Sequence, residues 1–351
     1  MTIFLLIGDP HFKTSNLDIM KKICAEILQI IDEKKPSFVI SLGDTLDTNE
    51  RIHMSVQTDA TNFYFEIAER CPLYVLIGNH DRLNNQQFMT DTHPFVGLKK
   101  TKNITVVDKA VWVKELRCIF VPYVPPGRFV EALKTVEYDP NSPPEDPPAF
   151  LFAHQEFYNC MLKPGKNSAD GDKWYQEWPT VFTGHIHEYQ VLPSVIYVGT
   201  PHQNSYGEGT DKAIMIVHVD NMTEKKPKFL IERVRLKSSP IKTTINLHTS
   251  ELPNFAERIP VGCMVKVILH ADATETAGLD HNPYYQSLKG MVDKVVVKVK
   301  GDKASLAQNI VTDMKQKGTL QTDSASLEEV VVALLKEDPA TLKIFQEEIL
   351  K

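Results

Sequence analysis

Val75-Leu76-Ile77-Gly78-Asn79-His80-Asp81 is the stretch whose reading decides the fold. Apolar residues run straight into a glycine, an amide, an imidazole and a carboxylate. A buried strand that ends this way delivers metal-binding and acid–base groups to the mouth of a sheet. Four other stretches repeat the design: Ile7-Gly8-Asp9-Pro10-His11, Leu42-Gly43-Asp44-Thr45-Leu46-Asp47, Phe152-Ala153-His154 and Phe182-Thr183-Gly184-His185-Ile186-His187.

The elements around these stretches set the class. Ile3 to Ile7 reads as a core strand, too short and uncharged for a secretory signal. Residues 17–34 carry apolar side chains at helical spacing, with Ser15 or Asn16 as the cap and Pro36 as the stop. Phe38 to Leu42 is the next strand, so the chain opens with a βαβ unit and a parallel sheet is expected. A second helix is expected within 51–70, a third strand over Tyr74–Ile77 and helical structure over 86–98. Ile104–Val107, Ala110–Val113 and Arg117–Val121 read as strands of a second sheet. Phe150–Ala153, Val181–Thr183, Ile196–Gly199, Ile214–Val219 and Phe229–Leu236 continue the β pattern. Tyr138 to Pro148 is rich in proline and reads as a surface excursion. The class is therefore α/β (α+β), a two-sheet sandwich flanked by helices.

A chain of 351 residues exceeds one average domain. The expected division is 1–237, a smaller α+β unit over 238–320, and a helical segment over 321–351. In the last segment Leu327, Val330, Val331, Leu334 and Leu335 form one apolar stripe, and Leu342, Phe345, Ile349 and Leu350 another. These stripes either pack on their own domain or dock on a coiled coil, and docking is the reading favoured. A net charge of -6 argues against an independent, strongly basic nucleic-acid binder. It does not exclude a nuclease, because bound cations add positive charge where the phosphate sits. The basic clusters Lys225 to Lys237 and Lys294 to Lys303 are solvated faces or steer a phosphodiester backbone. Five cysteines, none close to another in sequence, argue against a disulfide framework and fit a reducing compartment. No apolar run approaches the roughly 20 residues of a membrane span.

Asp9, His11, Asp44, Asn79, His154, His185 and His187 offer carboxylate, amide oxygen and imidazole, the donors of hard and borderline divalent cations. They are too many for one tetrahedral site. They suit two ions roughly 3.5–4 Å apart, which clamp a phosphoryl group and generate a hydroxide between them. Asp44, leaving the central βαβ unit beside Asp9, is the natural bridge. Asp47 either joins this site or caps the helix that follows it. His202 could reach the site from its loop, whereas His53 and His93 read as surface residues.

These blocks resemble the calcineurin-like metallophosphoesterase family in order, spacing and residue type. The resemblance implies that Asp9, His11 and His187 hold one metal, Asn79, His154 and His185 the other, and that Asp44 bridges them. It implies that His80 acts beside the metals as a catalytic acid or charge-stabilising group, and that Asp81 orients His80 or its turn. Gly199-Thr200-Pro201-His202-Gln203-Asn204-Ser205-Tyr206-Gly207-Glu208 is similar to a loop of the double-strand-break repair nucleases, the SbcD and Mre-eleven type. From that likeness follow manganese as the metal, DNA as the substrate, exonuclease and endonuclease activity in repair or recombination, a homodimer, and a coiled-coil ATPase partner of the SbcC or Rad-fifty type. No membrane association is implied. Asp47 and the lack of a long basic tail point to a bacterial, phage or other viral relative, hence bacterial or infected-host cytoplasm rather than the nucleus. The competing enzymatic reading is a phosphatase or phosphodiesterase acting on nucleotides or small phosphoesters.

Overall fold

In a computed structural model of the chain, residues 1–48 and 51–300 are described. The terminal stripes from Leu327 to Leu350 and the basic residue Lys303 lie outside the described residues. The chain divides into two compact units, Met1–Lys242 and a second beginning at Thr243.

The first unit is an α/β sandwich. Its elements run β1 (Thr2–Ile7), α1 (Leu17–Lys34), β2 (Phe38–Ser41), α2 (Met54–Ala68), β3 (Leu73–Leu76), β4 (Ile104–Val107), β5 (Val111–Val113), β6 (Cys118–Val121), α3 (Phe129–Lys134) and β7 (Phe150–Ala153). A short hairpin, β8 (Met161–Lys163) and β9 (Lys166–Asn167), precedes β10 (Thr180–Thr183), β11 (Gln190–Leu192), β12 (Val195–Tyr197), β13 (Ile214–Val219) and β14 (Phe229–Val234). One six-stranded sheet has the order β14-β13-β1-β2-β3-β4, the other β11-β12-β10-β7-β6-β5. Strands β1 to β4 are parallel, as are β6, β7, β10 and β12.

Alternation along each strand builds the layers. In β1, Phe4 and Leu6 face the second sheet, whereas Leu5 and Ile7 pack under α1 and α2. Phe4, Phe38, Phe120, Phe150, Phe152 and Phe182 fill the space between the sheets. On the far side of the second sheet, Ile119, Leu151 and Val181 pack against Phe129, Ala132 and Leu133 of α3.

Two expectations are corrected here. Ile104–Val107 belongs to the first sheet, pairing parallel with β3, because Val107 turns into the layer between the sheets while Ile104 and Val106 pack with the helices. Residues 86–95 form turns, with only a 3-10 turn at Val96–Lys100. There a buried Arg82 donates to the carbonyls of Gln87 and Tyr123, and His93 accepts from the Phe95 N–H. Local bonds of that kind compete with a helical ladder.

The second unit is a small α+β layer. β15 (Ile241–His248) crosses the boundary and joins β16 (Cys263–Asp272) and β17 (Lys294–Lys300) in the order β15-β16-β17. α4 (Ala273–Thr276) and α5 (Pro283–Met291) lie between β16 and β17. Asn282 caps α5 by accepting from the N–H groups of Tyr284 and Tyr285, and Pro283 occupies the first turn, where its missing N–H costs nothing. Leu247, Val265, Val267, Leu269 and Leu288 form its core. All five cysteines are free. Among the described residues, no helix is long and apolar enough to cross a membrane.

Candidate metal centre

The motif residues leave the carboxyl ends of β1, β2, β3, β7 and β10 and meet at one place. Asp9, His11 and His187 form one cluster and Asp44, His154 and His185 another, each with donor atoms within 4.8 Å of one another. His11 Nε2 and His187 Nε2 are 3.0 Å apart. The Asn79 amide oxygen lies 2.9 Å from His154 Nε2 and 2.8 Å from His185 Nδ1, so it joins the second cluster. Asp44 Oδ2 is 3.3 Å from His154 Nε2 and 3.8 Å from His11 Nε2, which places it between the two. All seven residues expected to be ligands therefore converge.

Three of these residues hold strained backbone. His11, Asp44 and His185 have φ of 47°, 47° and 77°, the left-handed region that side chains disfavour by about 1–2 kcal/mol each. Such conformations persist only where surroundings enforce them. The His11 N–H donates to the Asp44 carbonyl, and the His11 carbonyl accepts from Asn16 Nδ2. Asn16 thus braces the metal turn; no side-chain cap on α1 comes from it. Two glycines allow the close approach: a Cβ on Gly78 would fall on Asp44, and one on Gly184 would fall on the Asp9 carboxylate.

The donor set fits cations. Asp9 Oδ2 accepts the His185 N–H at 2.9 Å, but Asp9 Oδ1, buried, has no hydrogen-bond partner among the described residues. His154 Nδ1 donates to the Leu42 carbonyl at 2.7 Å, which leaves Nε2 facing two oxygens, Asp44 Oδ2 and Asn79 Oδ1. A neutral ring would oppose lone pair to lone pair, so something positive must sit there. Without a metal it is a proton. Burial alone would lower the His154 pKa, yet the Asp44 and Asp9 charges raise it to about 9. His11 is raised as well, burial being outweighed by Asp47, Asp44 and Asp9. Asp44 is held well below the ordinary range, its burial outweighed by the facing imidazoles.

His80 stands beside the clusters. Its N–H donates to Asp44 Oδ1 at 2.8 Å, and its ring packs edge-on to His11 at 5.0 Å. The Asp47 carbonyl accepts from its Nδ1 at 3.0 Å, which leaves Nε2 for the site. Asp81 holds the turn: its carboxylate accepts the N–H groups of Thr45, Leu46 and Gly78. Burial and the Asp44 charge push the Asp81 carboxyl up, against those three donors.

Carboxylates stand behind several of these imidazoles. Asp47 Oδ1 approaches His11 Nδ1 at 3.3 Å and Lys13 Nζ at 3.1 Å, and His53, not Asp47, caps α2. Glu208, the end of the singled-out loop, lies 3.2 Å from His187 Nδ1 and accepts from Asn204 N–H and Lys212. Glu156, two residues after His154, reaches 3.8 Å from His185 Nε2. His202 is in neither donor cluster and braces the Pro10 carbonyl at 2.9 Å. His93 is buried against Asp108 rather than exposed, while His53 is at the surface. A cleft of about 620 Å³ lined by Gln87, Met89, Asp91, Lys99 and Asp108 includes none of the metal-cluster residues.

Comparison with known proteins gives the family. Residues 3–189 match the family described as calcineurin-like phosphoesterase. The chain is 37% identical over 245 residues to "Putative phosphoesterase 078R" of Invertebrate iridescent virus 3, covering 67% of this chain and 70% of that protein. It is 34% identical over 270 residues to "Putative phosphoesterase 244L" of Invertebrate iridescent virus 6, covering 74% of this chain and 92% of that one.

Proposed function

Because the chain belongs to the calcineurin-like phosphoesterase family, a family of divalent-metal phosphoester hydrolases, we propose that it is a two-metal DNA nuclease that processes DNA ends. The observation that supports this most is the Asp44 carboxylate lying between two donor clusters with His80 alongside. Asp9, His11 and His187 would hold one cation, and Asn79, His154 and His185 the other. Bound there, divalent cations would supply Lewis acidity, making a water more acidic and offsetting charge on the phosphoryl oxygens.

This chain's residues do the rest. Hydrolysis forms a bond from water oxygen to phosphorus and breaks the bond from phosphorus to the leaving oxygen. His80, protonated on both ring nitrogens, gives that oxygen the proton of Nε2 and is restored by the proton that the attacking water loses, while Nδ1–H stays anchored on the Asp47 carbonyl. Asp81 acts through the turn, fixing the loop that carries Asp44. Glu208 and Glu156 orient His187 and His185 as carboxylates behind imidazole ligands do.

Manganese, DNA as substrate, exonuclease and endonuclease modes, a homodimer and a coiled-coil ATPase partner rest on the sequence likeness of the 199–208 loop to SbcD-type nucleases. The loop's position adds support, since its Glu208 touches His187. The ATPase would dock on the stripes from Leu327 to Leu350, and the compartment would be bacterial or infected-host cytoplasm. The test is the full chain with manganese and labelled duplex and single-stranded DNA, with and without the ATPase. Cleavage abolished by a chelator is expected. No cleavage in either case, together with fast turnover of a nitrophenyl phosphoester, would instead support a small-ester phosphatase.

A further inference from the structure

Tyr64 is the one hydroxyl-bearing ring in the middle of α2 that points into the metal loop rather than into plain core. It is fully buried. Its hydroxyl lies 2.8 Å from Ser41 Oγ, at the end of β2, and 2.5 Å from Thr45 Oγ1, the residue after Asp44. Phe63 stacks beside its ring and Phe95 packs edge-on, so the phenol has little room to move. Burial pushes the phenol's pKa up and keeps it a neutral donor and acceptor.

We infer that the Tyr64 hydroxyl is a positioning group of the metal centre, latching the segment from Ser41 to Thr45 so that the Asp44 carboxylate stays between the two donor clusters. The inference rests on the two-metal reading above and names a residue which that reading does not require. Its logic is a balance of forces. Asp44 is held in left-handed backbone at φ 47°, which a free loop would abandon. Asp81 grips the backbone of that loop through the Thr45 and Leu46 N–H groups. Tyr64 grips its side chain and the strand end before it. One buried hydrogen bond is comparable in size to the strain of one such residue, so losing the latch frees the loop in part without unfolding the unit.

Five proteins test this: wild type, Tyr64→Phe, Thr45→Val, which removes the partner hydroxyl at nearly constant shape, the double variant of these two, and Val56→Ala as a control. Val56 is buried on the same helix and has no part in the site. Manganese affinity is read by titration calorimetry, hydrolysis of bis(4-nitrophenyl) phosphate by kcat and KM, and the metal-free Tm by melting. Tyr64→Phe should weaken manganese binding by about tenfold or more, the range expected when support behind a metal ligand is removed. It should lower kcat more than it raises KM. Thr45→Val should do the same, and the double variant should be no worse than either. Val56→Ala should lower the Tm and leave manganese affinity within about twofold. Unchanged affinity in Tyr64→Phe, or equal weakening in Val56→Ala, would overturn the latch alone. A wild type that binds no manganese and turns over no phosphoester would overturn the two-metal reading and the latch together.

Discussion

At the scale of single residues, His154 has the plainest consequence. In the metal-free fold its pKa is about 9, above the ordinary 6.5, so its proton contributes stability that is complete below 6.5 and lost as pH rises through about 9. A cation must expel that proton. Manganese affinity should therefore climb as pH rises toward 9, with about one proton released from this ring per chain at pH 7.5. Calorimetric titrations in buffers of different ionisation heat measure both quantities, and a flat pH dependence would contradict this electrostatic picture. His80→Ala should lower kcat by about 10²–10⁴-fold with manganese stoichiometry intact. Turnover that survives the change would remove His80 from its role. The convergence was legible in the chain because five apolar runs each end in Asp, Asn or His; one alone, like Asp108 paired with His93 and Lys99, is as readily structural. Glu208, Glu156 and Tyr64 were not singled out for the site. Their partners lie 21, 29 and 19 positions away, and only folding brings them together.

At the scale of elements, periodicity carried the reading where amphipathicity was strong and failed where it was weak. The helix expected over 17–34 forms at Leu17–Lys34, ended by Lys35 in left-handed backbone just before Pro36. The strand at Ile104–Val107 reads the same in either sheet, since it carries buried apolar residues on both faces. Its partner depends on topology, which a short apolar run does not encode. Residues 86–95 failed for a different reason: a buried arginine and a histidine supply local bonds that outcompete a helix. The layer between the sheets is where packing should matter most. Phe152 is fully buried, with the rings of Phe4 and Phe120 at 5.3 and 5.1 Å. Phe152→Ala should cost about 3–5 kcal/mol in denaturant unfolding of the metal-free chain. A loss below about 1 kcal/mol would mean that the two sheets do not depend on that aromatic layer.

At the scale of the whole molecule, the sandwich exists to bring five strand ends to one point. Parallel order puts Asp9, Asp44 and Asn79 at the carboxyl edge of one sheet, and His154 and His185 at that of the other. A sheet whose strands ran in mixed directions at its centre would scatter them. The antiparallel pairs lie outside that set: β13 and β14 beside β1, β5 beside β6 and β11 beside β12. The family fold and the two clusters follow from this arrangement, whereas substrate and partners belong to loops and segments that the sandwich leaves free to vary. Anomalous diffraction at the manganese edge from crystals of the full chain grown with manganese tests the arrangement most directly. The expected result is two peaks roughly 3.5–4 Å apart, one touched by Asp9, His11 and His187, the other by Asn79, His154 and His185, with Asp44 reaching both. A single peak, or two peaks with Asp44 bound to neither, would contradict it.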